Sequence, residues 1–119
     1  MNNAIVFMCK EINKNYQNSI LFYQEHADKY SYDVYICVDI YNSYAKIIQE
    51  KFKNIKILNI SSNDCIKNGF FDLIYLTCKK HCTSWDKSFF YFCNINKKYD
   101  NVWFIEDDVF LPDSDIINF

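Results

Sequence analysis

Four apolar runs of strand length alternate along this chain with polar stretches whose apolar residues recur at helical spacing. Ala4-Ile5-Val6-Phe7-Met8-Cys9 is apolar at every position, the pattern of a strand covered on both faces. Asp33-Val34-Tyr35-Ile36-Cys37-Val38-Asp39 reads as a second such strand, Ile55–Ile60 as a third and Asp100–Ile105 as a fourth. Between the first two, Tyr16, Ile20, Tyr23, Ala27 and Tyr30 recur at steps of four and three. That is one stripe of an amphipathic helix over roughly residues 14–30. Asn42 is suited to cap a second helix that carries Ala45, Ile48 and Phe52 on one face. Ser61–Asp64 reads as a turn, and Phe70–Leu76 as either a short strand or a buried helical turn. Thr83, with Asp86 three residues on, opens a further helix to about Lys97, with Trp85, Phe89, Phe92 and Asn96 on one face. Strands alternating with helices predict one α/β domain over residues 1–119, a three-layer α/β/α arrangement around a mostly parallel sheet.

Composition removes several functions. The chain has a single glycine, Gly69, and a single proline, Pro112. It therefore contains no G-x-G-x-x-G, no Walker A loop, no EF-hand loop and no nucleophile elbow. With 13 basic against 15 acidic residues it has a net charge of −2, the wrong balance for a nucleic-acid binder that neutralises phosphates. Every basic residue but the two histidines is lysine, so a lysine in place of arginine carries no chemical message here.

Six cysteines, Cys9, Cys37, Cys65, Cys78, Cys82 and Cys93, invite two other readings. The N-terminus lacks the basic region and the long apolar stretch of a secretory signal. No segment is apolar for long enough to span a bilayer. Cys9 and Cys37 fall inside apolar strands, where cysteine packs as a small hydrophobe. The expectation is reduced thiols in a cytoplasmic protein. Cys78, His81, Cys82 and Cys93 offer zinc-ligand chemistry, but a second tight pair is missing, so core thiols fit better. His26 has no partner in sequence. The many aromatic residues sit mostly at core spacings and signal packing first; Phe110 and Phe119, beyond the last strand, are the exceptions.

The most informative residues are acidic. In parallel α/β sheets ligands bind outside the carboxyl ends of the strands, and both Asp39 and Glu106-Asp107-Asp108 fall at such ends. Three adjacent carboxylates repel one another, and a divalent cation gives their clustering a purpose. Hard cations such as Mg²⁺ take one or two carboxylates and complete their shell with water and substrate phosphates. If the last strand continues through the cluster, alternation puts Glu106 and Asp108 on one side and Asp107 on the other.

Val102-Trp-Phe-Ile-Glu-Asp-Asp-Val-Phe-Leu-Pro112-Asp113 resembles the DxD-type motif of GT-A fold glycosyltransferases, in the Glu-Asp-Asp form most similar to N-acetylglucosaminyltransferase-like enzymes. The resemblance implies a domain that binds a nucleotide-sugar donor, most simply a UDP-sugar, through Mn²⁺ or Mg²⁺. It implies transfer of the sugar to a hydroxyl of a carbohydrate or glycoprotein acceptor. It makes Asp108 the metal ligand and turns Glu106 and Asp107 toward the ribose, the sugar or metal-bound water. Asp39 takes the place of an acidic residue that contacts the base or ribose, and Lys87 approaches the diphosphate. A complete domain of that family is longer, so the resemblance also implies that the acceptor half is missing here. No residue identifies itself as a catalytic base.

Other readings stay open on the residues alone. A non-catalytic binding or interaction domain can keep the same fold. A metal-dependent nuclease or phosphotransferase uses clustered carboxylates too, usually with two metals and with a basic surface that this composition lacks. Receiver domains carry their acidic pair after the first strand, where this chain has Cys9-Lys10-Glu11. For the single residues the plain alternatives are Trp85 as a core anchor, Lys87 as a solvated cation and Asp39 as a solvated loop carboxylate.

Overall fold

Strand β1 (Asn3–Cys9) is buried along its whole length because it is paired on both edges and covered on both faces. In the computed structural model, which describes residues 2–70, 82–95 and 98–109, it lies beside β2 (Tyr32–Val38) and β4 (Asn101–Glu106). Strand β3 (Ile55–Leu58) pairs with the far edge of β2, giving the order β3-β2-β1-β4. Every pairing is parallel; Phe7 registers with Ile36 on one side and Ile105 on the other.

Alternate residues of β1 enter different cores, as a pleated strand requires. Ile5, Phe7 and Cys9 pack with Tyr16, Ile20, Tyr23 and Ala27 of α1 (Lys14–Tyr30) and with Ala45 and Ile48 of α2 (Ser43–Lys51). Ala4, Val6 and Met8 pack with Tyr35, and against Tyr91 and Phe92 of α4 (Ser84–Asn94). The predicted stripe of α1 is thus its buried face except at Tyr30, which is exposed.

Helix ends follow local chemistry. Asn13 and Asn42 accept hydrogen bonds from the backbone N–H groups of Tyr16 and Ala45, at 2.8 and 3.0 Å. Asn42 Nδ2 also donates to Ile12 O at 2.7 Å, joining the start of α2 to the loop after β1. Asn42→Ala removes both bonds and is expected to cost about 1–2 kcal/mol of stability, read as a lower urea midpoint. α1 ends at Ser31, which holds φ 56 in the left-handed region while its N–H donates to Ala27 O. Glycine adopts that conformation without steric cost, so Ser31→Gly is expected to stabilise the fold by roughly 0.5–1 kcal/mol in the same measurement.

Several expectations need correction. The third strand stops at Leu58 rather than Ile60. The turn expected at Ser61–Asp64 is largely the first part of a short helix, α3 (Ser62–Lys67). α4 ends at Asn94, and Asn96 and Lys97 lie outside the described residues. Trp85 is not a core anchor: it is 38 % exposed and Phe89 45 %. The buried side of α4 is instead Ser84, Lys87 and Ser88. Residues 71–81, with Cys78 and His81, and residues 110–119, with Phe110, Pro112, Asp113 and Phe119, lie outside the described residues. Among the described residues no helix is long and apolar enough to cross a membrane.

Candidate functional site

The winding of the chain creates a topological switch point. From β1 the sheet grows through β2 to β3; after α4 the chain returns to lay β4 on the opposite edge of β1. The reversal falls between β1 and β4, and at such a switch point the loops leaving the two strands part and leave room for a ligand. β4 ends there in Glu106, followed by Asp107 and Asp108; β2, on the other side of β1, ends beside Asp39.

Lys87 and Asp39 are brought together. Lys87 Nζ lies 3.0 Å from Asp39 Oδ1, and the two side chains are 5 % and 15 % exposed. Lys87 is therefore not the solvated cation of the plain reading; it connects α4 to the end of β2. Its position is fixed locally. Thr83 and Asp86 form a reciprocal capping box at the start of α4, the full form of the signature seen in sequence. Buried Ser84 and Ser88 present little bulk on the same side of the helix. The Asp39 backbone is held as well: its N–H donates to Lys10 O at 3.0 Å, and that of Ile40 to the same oxygen at 2.8 Å.

The acidic cluster is a turn rather than a strand continuation. β4 ends at Glu106, which registers with Met8, and Val109 N–H donates to Glu106 O at 3.2 Å. Alternation accordingly stops at Glu106, and the expected pairing of Glu106 with Asp108 on one strand face does not apply. Glu106 is half-buried, whereas Asp107 and Asp108 are exposed. Among the described residues no ion pair ties down any of the three. Asp107 acts electrostatically on the α1 side. Burial, and next the charge of Asp107, push the Cys9 thiol far above its ordinary range. Burial, the Cys9 thiol and Asp107 do the same to the Tyr16 phenol. Tyr16 is 3 % exposed, and its hydroxyl has no hydrogen-bond partner among the described residues. Sequence reasoning counted it only as an apolar-stripe residue, and nothing local marks it otherwise.

The donor set at this edge is all carboxylate oxygen, which suits Mg²⁺ or Mn²⁺ and not soft metals. Among the described residues no group of three or more His, Cys, Asp or Glu converges into a cage. A hard cation held by so few ligands would take one or two of these carboxylates and leave its other positions to water or a ligand's oxygens. Two grooves elsewhere, of about 240 and 380 Å³, lie toward the amino ends of the strands. Phe92, Tyr99 and Val102 line one, and Gln24, Phe52 and Asn54 the other.

Among the described residues four of the five thiols are packing residues, and the core-thiol expectation fails at Cys93. Cys9, Cys37, Cys65 and Cys82 are buried, while Cys93 is exposed. Cys82 Sγ donates to Phe70 O at 2.8 Å. Burial pushes the thiols of Cys37 and Cys82 from 9.0 up to about 11. The folded state then keeps protons that the unfolded chain releases above pH 9. Their contribution to stability is complete below that pH and is lost as pH rises toward 11. The urea midpoint is expected to fall across that window. At pH 8 alkylation mapped by site should modify Cys93 and spare the four buried thiols.

No protein-family model, no curated protein and no solved structure matches this chain.

Proposed function

We propose that the chain is the nucleotide-sugar-binding half of a metal-dependent glycosyltransferase, a three-layer α/β/α domain of the GT-A type. One observation carries this reading: an acidic turn, Glu106-Asp107-Asp108, with no ion pair among the described residues, follows β4 at the switch point of an all-parallel sheet. Asp39 and Lys87 support it from the neighbouring side of β1.

In this reading Asp108 supplies a carboxylate oxygen to Mn²⁺ or Mg²⁺. When bound, that cation offsets the charge of a nucleoside diphosphate as it leaves the sugar. Asp107 and Glu106 orient the sugar or ordered water by accepting hydrogen bonds. Asp39, an acceptor when ionised, receives N–H or O–H groups of the nucleoside. The acceptor is a hydroxyl of a carbohydrate or glycoprotein.

Linkage gives a direct test. A ligand that binds only the folded state stabilises it by about 2.7 kcal/mol at a hundred times its Kd. The melting temperature is expected to rise by several degrees with UDP and Mn²⁺ together, and to return to its starting value with EDTA. No rise with UDP, GDP or a UDP-sugar, with metal present, counts against a donor site in this chain.

A further inference from the structure

We infer that Lys87 is a positioning residue that acts through Asp39, and that it does not touch the diphosphate. The inference rests on the donor-site reading above and divides its labour. The Lys87 side chain is 5 % exposed, and its ammonium makes its one hydrogen bond among the described residues with Asp39 Oδ1, at 3.0 Å. A cation so enclosed is committed to its partner and poorly placed to meet a hydrated polyanion. Asp39 differs: it is 15 % exposed, and Oδ2 has no hydrogen-bond partner among the described residues.

Both the backbone and the carboxylate of Asp39 are consequently fixed before any ligand arrives. The Lys10 carbonyl receives the N–H groups of Asp39 and Ile40, and Lys87 holds Oδ1 from a helix whose first turn is locked by the Thr83–Asp86 capping box. One oxygen is used and one is offered. An ionised carboxylate only accepts hydrogen bonds, so the offered oxygen selects a donor such as a base N–H or a ribose hydroxyl. Preorganisation of this kind strengthens binding by lowering the ordering cost. The effect of Lys87 should therefore appear in the nucleoside part of the ligand.

The experiment compares uridine with UDP, the latter in Mn²⁺, on the wild-type chain and on Lys87→Met, Lys87→Gln, Asp39→Asn and the Asp39→Asn/Lys87→Met double variant. Lys87→Met is expected to weaken both probes by the same factor, about tenfold, the scale of one charge-assisted hydrogen bond. Lys87→Gln keeps an N–H for Oδ1 and should retain most of the affinity for both. The double variant should bind no worse than Asp39→Asn, because a residue acting only through Asp39 has nothing further to lose.

Three results overturn the inference. Loss of UDP affinity with uridine spared makes Lys87 a direct diphosphate contact. Equal affinities in wild type and Lys87→Met make the pair purely structural. Additive losses in the double variant separate the two residues. Should Lys87→Met fail to fold, Lys87→Gln decides, since a diphosphate contact through charge loses UDP affinity there while uridine is unaffected. Failure of the wild-type chain to bind UDP is a distinct result that removes the donor-site reading itself, and the role of Lys87 with it.

Discussion

Phe7→Ala is expected to lower stability by about 4 kcal/mol, within the range for phenylalanine-to-alanine changes in packed cores. Phe7 is 0 % exposed in the strand that the sheet is built around. Its ring lies 5.7 Å from that of Tyr16 and 5.3 Å from that of Tyr23, centroid to centroid. Truncation removes the aromatic contacts of β1 with Tyr16 and Tyr23 of α1 and leaves a void between the strand and the helix. Domains of this size are stable by about 5–15 kcal/mol in total, so this one side chain decides whether much of the population is folded. Phe89→Ala is the control. Phe89 is 45 % exposed and touches Phe104 at 4.8 Å between centroids, and its loss should cost roughly 1 kcal/mol or less. Urea midpoints of the two variants measure the contrast. Equal losses would show that the core is not where β1 and α1 meet.

Asp39→Ala is expected to cost about 3 kcal/mol, because it strands the Lys87 ammonium in a nearly closed environment. Lys87→Met should cost less. The methionine refills the space of the lysine stem, and the unpaired Asp39 keeps some access to water. The double replacement Asp39→Ala/Lys87→Met should be more stable than Asp39→Ala alone, since no unpaired charge remains. Thermal or urea denaturation of the three variants reads this order directly. A smaller loss for Asp39→Ala than for Lys87→Met would mean that the lysine side chain escapes to solvent when its partner is removed.

The fold was legible where a single element carries its own signal. β1 announces itself by continuous apolarity, and α1 by a stripe that the structure buries residue for residue apart from Tyr30, which is 42 % exposed. Caps at Asn42 and Thr83 were readable because capping is chemistry over three residues. The errors lie where distant contacts decide. Apolar periodicity turns Trp85 and Phe89 of α4 inward, yet the packed side carries Ser84, Lys87 and Ser88 followed by Tyr91 and Phe92. That phase is set by a close approach to the sheet and by Asp39, 48 positions earlier. Periodicity does not register a small residue or a buried ion pair as a packing face. The position of Asp39 and Glu106-Asp107-Asp108 at strand ends was visible in sequence, because apolar runs stop abruptly at them. Their separation across β1, the turn closed by Val109 and the buried Tyr16 hydroxyl with no partner among the described residues were not, since each depends on strand order or on side chains from other elements.

The acidic turn after β4 is proposed to hold a divalent cation for a nucleoside diphosphate. Calorimetric titration of UDP into the chain, with Mn²⁺ and then with EDTA, repeated on Asp108→Ala, tests it most directly. The expected result is saturable binding in Mn²⁺, loss of at least about a hundredfold in affinity with EDTA, and the same loss in Asp108→Ala at an unchanged melting temperature. Binding that is indifferent to metal and to Asp108, or no binding of UDP by folded wild-type protein, would contradict it.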